Sequence, residues 1–205
     1  MCRLQIPHRS RTGIVTVHSP KNINHFPENG MVKIKFISHL EPTGYGLAGI
    51  AYLRGLVNAG VSVQWVPLRR HGWGVAQYRL GSEEPPAILS MAQHDEALID
   101  LPALLEKTSR TGAYDTVLIH AIPEHWPPYL EAGKRNIGYT TWETDRLPVH
   151  WPPILNRVER VMVPCTMNEA VFRHSGVNVP IHVIPHIRRH QWNRFTPDER
   201  ALARR

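Results

Sequence analysis

The sequence predicts an α/β fold, a Rossmann-like parallel sheet with helices on both faces. Three observations predict it. Short apolar runs of strand length alternate with stretches whose apolar residues recur every three or four positions. The first run is followed by a glycine-containing loop and then by a helical pattern, the order of a β-loop-α-β unit. With 42% apolar residues in 205, a single domain can bury a core of its own.

The elements follow in order from residue 31, where the pattern changes abruptly. Residues 1–30 are rich in Pro, Ser, His and Asn and read as a basic, poorly ordered extension. Val32, Ile34, Phe36 and Ile37 form the first strand. Leu47, Ile50, Leu53 and Val57 then mark one face of a helix, which Gly60 closes in the left-handed conformation. Val61, Val63, Trp65 and Val66 give a second strand. Ala87 to Met91 reads as a short strand and 97–107 as a helix. Residues 116–119 form a buried strand with His120 at its carboxyl end. Further strands are expected at 136–141, 161–164 and 181–184. Between the last two, Thr166-Met167-Asn168-Glu169 is a capping box for a helix that stops at Gly176. Thr196-Pro197-Asp198-Glu199 is a second capping box. The helix it opens, within 196–205, is too short to stand alone and reads as the start of a truncated linker. The Rossmann-like domain is therefore assigned to residues 31–195.

Charge excludes one class of partner. The net charge is +7, with 24 Lys and Arg against 17 Asp and Glu, but the excess sits in the tails. Residues 1–30 carry four basic side chains and one acidic, and residues 188–205 carry six and two. The body between is balanced, with 14 of each sign. No basic stripe with interleaved aromatics is left on the domain, so nucleic acid is not an expected partner. No apolar run approaches membrane-spanning length and no apolar leader follows Met1, which gives a cytoplasmic protein without a transmembrane segment. Cys2 and Cys165 fit no ligand spacing. Cys165 reads as an inert buried thiol. The recurrence of His182, His186 and His190 falls on a strand and its exit, where a spacing of four builds no compact metal site.

Gly44-Tyr45-Gly46-Leu47-Ala48-Gly49 matches the dinucleotide fingerprint G-x-G-x-x-G. The match fails where the physics is demanding. Residues 38–43 separate the strand from the first glycine, and Arg69 and Arg70, not an acid, follow the second strand. An NADP-dependent oxidoreductase is thus the alternative enzyme, and a non-catalytic binding module the alternative without chemistry. The glycines still let backbone amides and a helix N-terminus approach a phosphate, or else serve only loop flexibility and helix packing.

Four segments in order carry a resemblance: Glu41-Pro42-Thr43-Gly44-Tyr45-Gly46-Leu47-Ala48, then Leu118-Ile119-His120, then the run from Gly138 through Thr141-Trp142-Glu143 to Pro148, and finally Val163-Pro164-Cys165 through Val183-Ile184-Pro185-His186. Together they resemble the amino-terminal, acceptor-side half of a family 4 glycosyltransferase of the GT-B arrangement. The resemblance implies transfer of a sugar from a nucleotide-sugar to an acceptor with retention of configuration. It implies no metal and no cofactor beyond the nucleotide-sugar substrate. By position it gives the donor phosphates to Gly44, Tyr45 and Gly46, contact with the transferred sugar to His120 as the catalytic residue, and the acceptor to Thr141, Trp142 and Glu143. His120 read as a structural histidine and Glu143 read as a surface partner of Arg146 are the alternatives at those positions. Trp126, Trp142 and Trp151 read either as a carbohydrate-stacking wall or as loop packing. The partner expected on this reading is a separate donor-binding domain, or failing that a second copy of the chain, and the chain alone is expected to be inactive.

Overall fold

The computed structural model describes residues 32–72, 74–81 and 85–187. The extension at 1–30 and the helix start at 196–205 lie outside them. The described chain is an α/β, Rossmann-like fold. Seven strands form one sheet: β1 (Lys33–His39), β2 (Ser62–His71), β3 (Gly74–Gln77), β4 (Thr116–His120), β5 (Arg135–Tyr139), β6 (Arg160–Val163) and β7 (Ile181–Val183). Their order is β3-β2-β1-β4-β5-β6-β7, and all neighbours are parallel except the β2–β3 hairpin.

The helices are α1 (Gly44–Asn58), α2 (Ala87–Met91), α3 (Leu101–Thr108), α4 (Trp151–Leu155) and α5 (Thr166–His174). They divide between the two faces because side chains alternate along each strand. Ile34 and Phe36 point with Ile50 and Leu53 of α1 and Leu101 and Leu105 of α3 into one core. Ile37, Val117, Ile119 and Val161 point into the other, against Trp151, Leu155 and Phe172. Each core is held by the burial of a dozen or more apolar side chains, at about 25 cal/mol per Å² of apolar area.

Both long helical stops follow the sequence. Gly60 (φ 76°) and Gly176 (φ 96°) take the left-handed conformation that side chains disfavour, and each closes a paired C-terminal turn. Val61 N donates to Leu56 O and Gly60 N to Val57 O; Val177 N donates to Phe172 O and Gly176 N to Arg173 O.

Several expectations are corrected. Ala87 to Met91 is helix, not strand: Ile88 and Ala92 are buried while Ser90 between them is exposed, which a helix allows and the alternation of a strand does not. β2 runs on through Pro67 to His71 and turns at Gly72 into β3, a hairpin hidden by the proline that interrupts the apolar alternation. Leu47 does not join the buried face of α1 and is 47% exposed. The capping box at 166–169 does not form, because the N-cap is Cys165 and Asn168 turns inward to bond the loop after β5. Glu169 pairs with Arg173 instead. Cys165 is exposed, since the chain leaves the sheet just before it.

Trp126 is fully buried. Its Nε1 donates to Ala121 O at 3.0 Å, and its ring lies on Gly138 of β5, where any Cβ would overlap the ring. A Gly138→Ala variant should therefore lose about 2 kcal/mol or more, as overpacking against a fixed ring does. Urea denaturation checks this; an unchanged midpoint would mean that the ring has room to move.

Candidate functional site

The winding of the sheet changes direction between β1 and β4. β1 leads through α1 to β2 on one side, and β4 leads to β5 on the other. Ligands of open α/β sheets sit beyond the strand carboxyl ends at such a point. Two histidines end the strands there. Ser38 pairs in register with His120, so His39 lies one residue further and on the opposite face.

His120 is 2% exposed, and its Nδ1 has no hydrogen-bond partner. Three tyrosine rings surround it: Tyr45 and Tyr52 with centroids at 5.4 Å and Tyr139 at 4.9 Å. Gly49 lets it sit so close to α1, because a Cβ there would come within 3.2 Å of Nδ1. Burial holds the imidazole neutral, pushing its pKa down to about 3, with His186 and His39 acting in the same direction. It is placed as a neutral hydrogen-bonding group, not as a cation.

The glycine turn is the first turn of α1. Thr43 is the N-cap, and its hydroxyl accepts Gly46 N–H at 3.2 Å. Two glycines have different reasons. A Cβ at Gly46 would overlap the Glu41 carbonyl oxygen, so that position is fixed by the loop folding back on itself. Gly44 has positive φ nowhere in its geometry and open space around it, so nothing inside the chain requires a glycine there. Tyr45 is anchored across the sheet end. Its hydroxyl meets Thr140 Oγ1 at 2.9 Å, donates to Thr141 O at 3.2 Å, and accepts Thr141 N–H at 3.2 Å.

A buried side chain of α5 also holds the loop after β5. Asn168 (1% exposed) accepts from the Thr141 hydroxyl at 3.0 Å and from Trp142 N–H at 3.4 Å, and donates to Trp142 O. A cleft of 700 Å³ results, lined among others by Gly44, Tyr45, His120, Thr141, Glu143 and His186. Four of the elements named from the sequence thus meet at one cleft. Gly46 and Trp142 do not line it. Gly46 is inside the cap, and Trp142 packs edge-on to Trp151 at 4.7 Å with its Nε1 on Thr144 Oγ1 and Arg146 O. Trp126 is wholly in the core, so the three tryptophans form no common wall, but Trp142 and Trp151 together line a smaller pocket of 260 Å³ with Thr141 and Glu143. Glu143 is exposed and makes no ion pair with Arg146.

On the other face, a second cleft of 600 Å³ contains His39, Glu41, Arg70 and His125. Sequence reasoning missed it, because its far wall is the β2–β3 hairpin. Tyr45 lines both clefts. Among the described residues no group of three or more His, Cys, Asp or Glu side chains is arranged to hold a metal ion, and no helix is long and apolar enough to cross a membrane. No protein-family model matches the chain, and no curated protein matches it.

The buried histidine sets a pH dependence. An unfolded chain protonates His120 near pH ~6.5, whereas the folded chain resists until about 3, so the stabilisation is fully present above that upper value and is lost as pH falls between the two. His39, His125 and His186 are shifted down by burial and add the same sign. Stability should drop by roughly 1 kcal/mol per pH unit for His120 alone as pH falls below about 6, with a shallower slope in His120→Asn. Denaturant titrations at stepped pH measure both; parallel slopes would show that His120 is not held neutral by the fold.

Proposed function

We propose that the chain is the acceptor-side half of a GT-B glycosyltransferase, transferring a sugar from a nucleotide-sugar to an acceptor hydroxyl with retention. One observation carries this reading: a buried, neutral histidine with an unpartnered nitrogen stands on the same cleft as a helix N-terminus whose first glycine is left open.

The chemistry follows from these groups. As the bond from the sugar's anomeric carbon to the diphosphate breaks, negative charge grows on the leaving oxygen. The N–H groups of Gly44 and Tyr45 begin α1 and bond no described residue, and with the helix dipole they stabilise that charge. His120 contacts the transferred sugar as a neutral hydrogen-bonding group. The acceptor oxygen forms its bond on the face the diphosphate leaves, and the hydroxyl proton departs with the diphosphate. No protein nucleophile enters. Thr141 and Glu143 border the same cleft and offer acceptor contacts. The described residues form one Rossmann-like unit, so the groups that hold the nucleotide itself come from outside them, which makes a donor-binding domain the expected partner.

Amide and histidine NMR of the full chain with a panel of UDP-, GDP- and ADP-sugars tests the reading. Millimolar binding that moves Gly44, Tyr45 and His120 is expected. Gly44→Ala should leave the melting temperature unchanged or slightly raised, since its Cβ meets no atom within 4 Å, and should weaken binding about tenfold. Silence toward every nucleotide-sugar would sink the proposal. Micromolar binding of NADPH at the same amides would transfer the site to the oxidoreductase reading.

A further inference from the structure

We infer that the cleft between the β2–β3 hairpin and the loop after β4 is a binding site for a neutral pyranose, with Glu41, His39 and His125 as its polar contacts. This binding does not rest on the glycosyl-transfer reading, whose acceptor contacts lie in the other cleft.

The cleft is a built site. Its 600 Å³ would enclose a hexose, and it lies at the strand carboxyl ends where the winding reverses. His39 is 8% exposed and its Nδ1 has no partner, a cost that packing alone does not explain. His125 Nδ1 is in the same condition, and the two rings lie 5.5 Å apart. Glu41 is pinned at the rim. One carboxylate oxygen, Oε1, accepts Arg70 N–H at 2.5 Å, which orients the group and leaves Oε2 without a bond to any described residue.

Charge selects the ligand. Glu41 and Arg70 oppose one another, and burial lowers the pKa of both histidines, so the polar lining has no net charge near neutrality. An anion would meet the carboxylate, and a cation would meet the guanidinium. A sugar suits the remainder. Its hydroxyls both donate and accept, matching a carboxylate that only accepts and neutral imidazoles that do either. Val75, Ile122 and the Tyr45 ring supply the apolar surface on which a pyranose lays its C–H face. Tyr45 separates this ligand from the cleft of His120, so the two sites flank one rigid ring.

The test is histidine-ring NMR of the full chain titrated with methyl glycosides of glucose, galactose and mannose, with inorganic phosphate as the control. At least one glycoside should move the His39 and His125 signals together and saturate at millimolar concentration. Glu41→Gln keeps an oxygen for the Arg70 amide and should weaken that binding about tenfold, with the other histidine signals unchanged as proof of fold. The inference falls if no glycoside moves either signal, if the shifts appear only at His120 and His186, if Glu41→Gln binds as well as the parent, or if phosphate is preferred. Glycoside binding alongside silence toward nucleotide-sugars would refute the transfer reading and leave this site standing. The converse would refute this site alone.

Discussion

Everything at the candidate site depends on the reversal of winding between β1 and β4. The two strands are parallel neighbours, yet the chain leaves them toward opposite faces, so no connection covers the gap at their carboxyl ends. Strand alternation then does the rest. His39 and His120, one register step apart, point to opposite sides of the sheet, and each becomes the floor of its own cleft.

The gap stays open because the fold rigidifies its rim. Tyr45 spans from the first turn of α1 to the backbone of Thr141, and Asn168 ties the following loop to α5. Neither group can relax into the cavity without stranding a buried polar partner, which costs more than the bond itself is worth. The same logic makes the histidines informative. A folded chain normally satisfies buried nitrogens, and here His39, His120 and His125 each keep an unpartnered Nδ1 around one point of the sheet. A cluster of such atoms at a cleft is a polar interior arranged for something other than folding.

Much of this was legible in the sequence, for physical reasons that can be named. The first β-loop-α-β unit was readable because apolar periodicity and Gly60 agree, and the position of His120 because three apolar residues, Val117 to Ile119, precede it. The meeting of Gly44, His120, Thr141 and Glu143 followed from parallel topology, which gathers strand ends whatever their distance in sequence. Other features were not legible. Pro67 broke the alternation of β2 and concealed the hairpin, and with it the cleft of His39. Thr166 and Glu169 have the spacing of a capping box, but Asn168 is claimed by a loop 26 residues away. The glycine motif does not distinguish Gly46, required by the Glu41 carbonyl, from Gly44, which the chain does not require. Local signals report local demands, and these outcomes were decided by tertiary contacts.

The central claim is that two ligands flank Tyr45 on opposite faces of the sheet end. Its most direct test is a crystal structure of the chain soaked with a nucleotide-sugar and a methyl glycoside together. The account predicts diphosphate density against the Gly44 and Tyr45 amides with its sugar on His120, and glycoside density between Glu41 and His125. Diphosphate density in the hairpin cleft, or both ligands on one side of the Tyr45 ring, would contradict it.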